Sequence, residues 1–125
     1  MILVFGGAYQ GKKKFVLRSF GLKENDIEYV GDCNWTPGEK KAISGMENFV
    51  KSCAAEGVST VGKLEEMKEN LRDKIIIITD ISQGIVPMDS ADRLWREENG
   101  RAMAFLAQEA DEVYRLFCGI ESRIK

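Results

Sequence analysis

Met1-Ile2-Leu3-Val4-Phe5-Gly6-Gly7-Ala8-Tyr9-Gln10-Gly11-Lys12 reads as a short apolar strand running straight into a glycine-rich turn. Gly6, four residues, Gly11 and Lys12 make G-x-x-x-x-G-K, the spacing of a phosphate-binding loop. Glycines let successive backbone N–H groups converge on an anion, and the positive end of the following helix faces the same point. Gly6, Gly7 and Gly11 tolerate angles that side chains forbid, while Ala8, Tyr9 and Gln10 supply amides rather than side-chain chemistry. Phe15-Val16-Leu17 opens a helical pattern directly afterwards, which is the context the motif requires. The ordinary alternative is a strand-to-helix turn with a solvated basic start. Lys12, Lys13 and Lys14 oppose the helix dipole there, however, and that arrangement is eased by an anion among them. The expected nucleotide-binding residues are therefore Gly6, Gly7, Ala8, Tyr9, Gln10, Gly11, Lys12 and Lys13, with GTP or ATP as the ligand. Lys13 stands where the motif has the Ser or Thr that carries a hydroxyl to Mg2+. Nucleotide binding and nucleotide chemistry are thus separate questions.

Outward from this loop, apolar runs alternate with helical stripes, the order of an α/β protein. Gly21 reads as the stop of the first helix, and Ile27 to Asp32 as a second strand ending on a carboxylate. Thr36-Pro37-Gly38-Glu39 has the composition of a capping box and predicts a helix start. Its stripe comprises Ala42, Ile43, Met46, Phe49, Val50, Cys53 and Ala54, stopping before Gly57. Leu64, Met67 and Leu71 fit a short charged helix. Ile75-Ile76-Ile77-Ile78-Thr79-Asp80 reads as a central parallel strand, apolar on both faces. A loop with Gly84 and Pro87 comes next, then a helix from Ser90 to about Ala110 and a last strand over Val113–Cys118. The expected fold is α/β, a P-loop NTPase-like parallel sheet of about four strands flanked by helices.

Ligands of such sheets bind at the carboxyl ends of the strands, here Gly6, Asp32, Asp80 and Gly119. Asp32 is accordingly the candidate acid for Mg2+, or else a turn residue capping local amides. Lys12 and Asp80 are the candidate catalytic residues, the lysine steadying a transferring phosphoryl group and the carboxylate orienting an acceptor hydroxyl.

Composition limits the alternatives. The chain has 125 residues, 44% hydrophobic and 30% charged, and reads as one soluble nucleotide-binding domain over residues 1–125. A net charge of −2 argues against broad nucleic-acid binding. Cys33, Cys53 and Cys118 are widely spaced and without histidine partners, so reduced thiols are expected rather than a zinc site. With no histidine in the sequence, Ser-His and Cys-His catalysis are excluded. The first residues are strand-like rather than a leader, and no apolar run approaches the roughly 20 residues of a membrane span. No membrane partner and a cytoplasmic location are the expectations.

Several stretches carry a family resemblance. The Met1-Ile2-Leu3-Val4-x-Gly6-Gly7-Ala8 start, the Gly84-Ile85-Val86-Pro87 loop, Ala110-Asp111-Glu112-Val113-Tyr114, Cys118-Gly119-Ile120 and the Arg123-x-Lys125 ending are similar to one family. It is the bifunctional adenosylcobinamide kinase and adenosylcobinamide-phosphate guanylyltransferase. Asp32-Cys33, followed by Trp35, resembles its Asp-Cys strand end, and Thr79-Asp80-Ile81-Ser82 resembles its Asn-Glu-Val-Gly loop. The resemblance implies phosphorylation of a corrinoid hydroxyl, then GMP transfer through a histidine-bound intermediate, in a homo-oligomer. With no histidine, and with the segment that carries it shortened, the guanylyltransferase half is expected to be absent. Two functions are compatible with this pattern: a kinase-only relative, or a non-catalytic nucleotide- or corrinoid-binding relative that kept the cradle. Lys13 is the residue that separates them.

Overall fold

A computed structural model describes residues 1–82 and 89–125. The Gly84-Ile85-Val86-Pro87 loop of the family resemblance lies outside these residues. The described strands are β1 (Ile2–Gly6), β2 (Ile27–Tyr29), β3 (Ala42–Ser44), β4 (Ile75–Thr79), β5 (Glu112–Phe117) and β6 (Ile120–Arg123). The helices are α1 (Lys12–Ser19), α2 (Met46–Ala55), α3 (Thr60–Leu71) and α4 (Ser90–Glu109). The strands form one sheet in the order β2-β3-β4-β1-β5-β6. The first five run parallel and β6 returns antiparallel to β5.

β4 shows why the sheet is buried on both sides. Alternate side chains of a strand face opposite ways. Ile76 and Ile78 join the core formed with α2, α3 and α4, through Phe49, Leu64 and Leu106 among others. Ile75 and Ile77 join Val4, Phe15, Val16 and Leu116 beneath α1. Each of these isoleucines, at 3% exposure or less, contributes about 1.5–3 kcal/mol by leaving water. The α/β class and parallel sheet expected from the sequence are present, with six strands in place of about four.

Two elements account for the difference. Residues 36–45 start no helix: Gly38 N–H donates to the Glu28 carboxylate, and Ala42–Ser44 is a strand between β2 and β4. Ala42 packs on the α1 side and Ile43 on the other, so the first two positions of the apparent helical stripe obey the strand period instead. The helix begins only after Gly45, at φ 84°. The other addition is β6, joined to β5 by the two-residue turn Cys118-Gly119, with positive φ at both residues, the conformation of a type I′ hairpin. β2 is also shorter than expected, ending at Tyr29 rather than Asp32.

Candidate functional site

The glycine loop is shaped from both ends of the chain. A Cβ on Gly6 would stand 2.5 Å from the Leu116 carbonyl oxygen, so β1 can lie this close to β5 only with glycine there. Gly11 adopts φ 87° as the N-cap of α1 and provides no side-chain cap. The first amides of α1 therefore keep the free N–H groups of a helix start, which suits an anion. The hairpin after β5 braces the loop: Cys118 N–H donates to Gln10 Oε1, and Gly119 N–H donates to the Gln10 carbonyl at 3.1 Å. Tyr9, at φ 60°, is fully exposed at the loop's outer turn.

The three lysines border one cleft, but their ammonium groups are held differently. Lys12 is buried and its Nζ donates to the Gly7 carbonyl at 2.7 Å, folding the ammonium back across the loop. Burial lowers its pKa, and the Glu47 carboxylate partly opposes that shift. Lys13 Nζ donates to Tyr29 Oη at 3.0 Å and to Glu24 Oε1 at 2.9 Å. The tyrosine and then the glutamate raise its pKa. Its charge is thus met by protein groups beside β2, and the crowding of like charges inferred from the sequence is relieved without an anion. Lys14 is exposed.

Between the loop, the ends of β3 and β4 and the start of α2 lies a cleft of about 400 Å³, lined by Tyr9, Lys12, Ser44, Glu47, Ile77 and Thr79 among others. Glu47, in the first turn of α2, accepts a hydrogen bond from Thr79 N–H at 2.9 Å. The Thr79 carbonyl in turn accepts from Asn99 Nδ2 at 2.9 Å. One helix start therefore brings an ammonium to the cleft and another brings a carboxylate.

Of the other sequence candidates, Asp80 lies beside the loop and Asp32 does not. Asp80 comes directly after β4, next to β1 in the sheet, and its N–H donates to the Gly6 carbonyl at 2.8 Å. Its Oδ1 accepts from Ser82 N–H at 2.9 Å and Ser82 Oγ at 2.6 Å. Asp32 is exposed in the turn after β2, with β3 and β4 between that strand and β1. Its Oδ1 accepts from Asn34 N–H at 2.8 Å, which is the role of a turn residue capping local amides. Sequence reasoning misses Ser44 and Glu47, because β3 reads as helix and so puts Glu47 inside a helix rather than at the start of one. The available signal is Ser44-Gly45 after an apolar pair, a second strand-glycine-helix junction. Among the described residues, no group of three or more His, Cys, Asp or Glu side chains is arranged to hold a metal. The cleft does offer oxygen donors, the Glu47 carboxylate and the Ser44 and Thr79 hydroxyls. Mg2+ takes such a set together with substrate phosphates and water.

The sheet, with its central strand feeding a glycine loop and a helix start, defines an α/β protein of P-loop NTPase-like fold. A family model described as cobinamide kinase / cobinamide phosphate guanyltransferase matches residues 41–124, and the chain belongs to that family. The matched stretch contains Ser44, Glu47, Thr79 and Asp80, while the glycine loop precedes it. No curated protein matches the chain. Membership makes it a relative of the nucleotide-using kinases and guanylyltransferases of cobalamin biosynthesis. Among the described residues, no helix is long and apolar enough to cross a membrane.

Proposed function

We propose that the chain binds a purine nucleoside triphosphate, GTP or ATP, on residues 6–13 and transfers its terminal phosphoryl group to a corrinoid hydroxyl. The observation that carries this reading is the buried Lys12 ammonium, held on the loop by the Gly7 carbonyl and facing a cleft that contains Glu47. A nucleotide phosphate replaces Gly7 as the partner of Lys12, and the amides at the start of α1 take the remaining phosphate oxygens. The acceptor oxygen attacks the terminal phosphorus, the bond to the bridging oxygen breaks, and a nucleoside diphosphate leaves. Asp80 orients the acceptor hydroxyl and takes its proton, while Lys12 offsets charge on the transferring group. Glu47 and Ser44 would hold Mg2+, which neutralises phosphate charge. Glu47 takes this role rather than Asp32, because two strands separate Asp32 from the loop. Guanylyl transfer through a histidine forms no part of the proposal, since the chain has no histidine.

One observation favours a second reading, a nucleotide- or corrinoid-binding module without turnover. Lys13 supplies no hydroxyl, and its ammonium is engaged by Glu24 and Tyr29. Titration calorimetry with GTP and ATP, with and without Mg2+, combined with an assay of phosphoryl transfer to cobinamide, separates the two. Binding that Lys12→Ala abolishes, together with transfer, supports the kinase. Binding without transfer, and transfer gained by Lys13→Ser, supports the module. No binding of either nucleotide sinks the kinase and the nucleotide-binding form of the module.

A further inference from the structure

Helix α4 buries one residue that packing alone does not call for. Trp95, Asn99, Ala102 and Leu106 follow one another at the helical spacing of a single face, turned toward the core. Asn99 interrupts this apolar stripe at 1% exposure. Asparagine is a poorer helix former than leucine, and Asn99 Oδ1 has no hydrogen-bond partner among the described residues, a desolvation cost that remains in the folded chain. A leucine, close to it in shape, would remove both penalties. What the amide supplies instead is Nδ2, which donates to the Thr79 carbonyl at the end of β4 at 2.9 Å.

Trp95, one turn earlier on the same face, makes the matching contact. Its Nε1 donates to the Glu47 carbonyl at 2.9 Å, and Lys51 Nζ lies 4.8 Å from the centre of its ring. Glu47 and Lys51 are themselves one turn apart on α2, so the indole is fixed to the start of that helix by two contacts. Between the two anchors runs a third bond, from Thr79 N–H to Glu47 Oε1 at 2.9 Å. The division of work is plain. Trp95 sets the main chain of Glu47, Asn99 sets the Thr79 peptide, and that peptide sets the carboxylate. A donor on one oxygen orients a carboxylate and leaves the other oxygen for a ligand. The same helix reaches the Asp80 turn as well, since Arg96 Nη2 donates to the Ser82 carbonyl at 2.6 Å and Ser82 donates to Asp80.

We propose that Trp95 and Asn99 are positioning residues of the cleft, holding the Glu47 carboxylate in the orientation that takes Mg2+. This rests on the assignment of Glu47 to Mg2+ above and adds that α4 sets its aim. Calorimetric titration of Mg2+ into the full chain with GTP or ATP bound tests it. Glu47→Gln is expected to lower Mg2+ affinity toward that of the free nucleotide. Trp95→Phe keeps an aromatic ring and loses the N–H, and Asn99→Leu keeps the shape and loses the amide. Each is expected to weaken Mg2+ about 10–100-fold, the usual effect of removing a partner that orients a ligating group. In a Glu47→Gln chain neither change is expected to weaken Mg2+ further, because both act through that carboxylate. Circular dichroism of each variant separates lost orientation from lost folding, and Trp95→Phe alone decides the matter if Asn99→Leu does not fold. Mg2+ affinity that the α4 variants leave at its natural value, with Glu47→Gln still effective, overturns the inference and spares the Mg2+ assignment. So does a loss that recurs in full in the Glu47→Gln chain, the mark of a general structural effect. Mg2+ affinity that Glu47→Gln leaves unchanged removes Glu47 from the metal, and a chain that binds neither nucleotide removes the nucleotide reading; the inference falls in both cases.

Discussion

Two strand-to-helix junctions flank the cleft, and their backbones are nearly the same. Gly11 caps α1 at φ 87°, ψ 24° and Gly45 caps α2 at φ 84°, ψ 25°, neither helix having a side-chain cap. The difference lies in the residues just after the glycine. α1 opens with three lysines and no acid in its first turn, and α2 opens with Glu47. The same left-handed glycine thus delivers a cation from one side of the cleft and an anion from the other. The comparison teaches that the backbone device is general and the chemistry resides in the one or two residues beyond it. An acid at the start of α2 is favoured by the helix dipole, whereas Lys12 is opposed by it. Lys12 is held by burial against the loop, and so carries the greater cost when no phosphate is present.

The largest effect expected from breaking this pair is at Lys12. Lys12→Ala removes the only buried lysine among the described residues and should weaken nucleotide binding by about 2–5 kcal/mol, read by calorimetry. Retention of affinity would falsify the assignment of the loop. Next come the glycines themselves. Gly11→Ala and Gly45→Ala each force a side chain into the left-handed region and should each cost about 1–2 kcal/mol of stability in urea denaturation. Only Gly11→Ala should also disturb the loop amides, so a matched loss of nucleotide affinity in both variants would show that the junctions do not divide the work as described.

A pH profile sharpens the comparison further. Lys12 has a lowered pKa because of burial, with Glu47 pulling the other way. Nucleotide affinity that depends on the charged lysine should therefore fall as pH rises through a value below 10.5, the ordinary lysine pKa. Glu47→Gln should move that fall to lower pH, since it removes the group that raises the pKa. The sign for stability is the reverse: between the folded and unfolded values the unfolded chain binds more protons, so this residue adds stability as pH increases. A fall in affinity at the same pH in both proteins would separate Glu47 from Lys12. The smallest effect is at Lys13, where an exposed pair with Glu24 should leave stability unchanged within error when the residue becomes Ala. A measurable loss would mean that the Glu24–Tyr29–Lys13 cluster supports the loop.

How far the sequence reveals this arrangement differs between the two junctions for physical reasons. The β1–α1 junction has a long loop with three glycines and a lysine at fixed spacing, so local chemistry declares it. At the β3–α2 junction the strand is three residues long, too short for its period to show. Thr36-Pro37-Gly38-Glu39 has the composition of a helix start, but the edge of β4 captures Ala42 and Ile43 as a strand instead, a tertiary gain that local propensity does not contain. That single misreading hides Ser44 and Glu47 and leaves Asp32 as the apparent strand-end acid. β4 is legible because four consecutive isoleucines fit a strand buried on both faces. β6 is not, since its polar alternation resembles a tail until the Cys118-Gly119 turn is recognised as a hairpin.

The bond between Gln10 and Cys118 spans 108 residues of sequence, and β1 pairs only with β4 and β5. During synthesis the glycine loop thus leaves the ribosome before the strands that become its walls. A nascent chain that has exposed Lys12 must wait for the strand at residues 75–79 and the hairpin beyond residue 112 before any cradle exists, and contacts of such separation form slowly. The nucleotide capture proposed for the loop therefore requires β4 and β5, and a ribosome-stalled fragment ending before β5 would display the motif without the site.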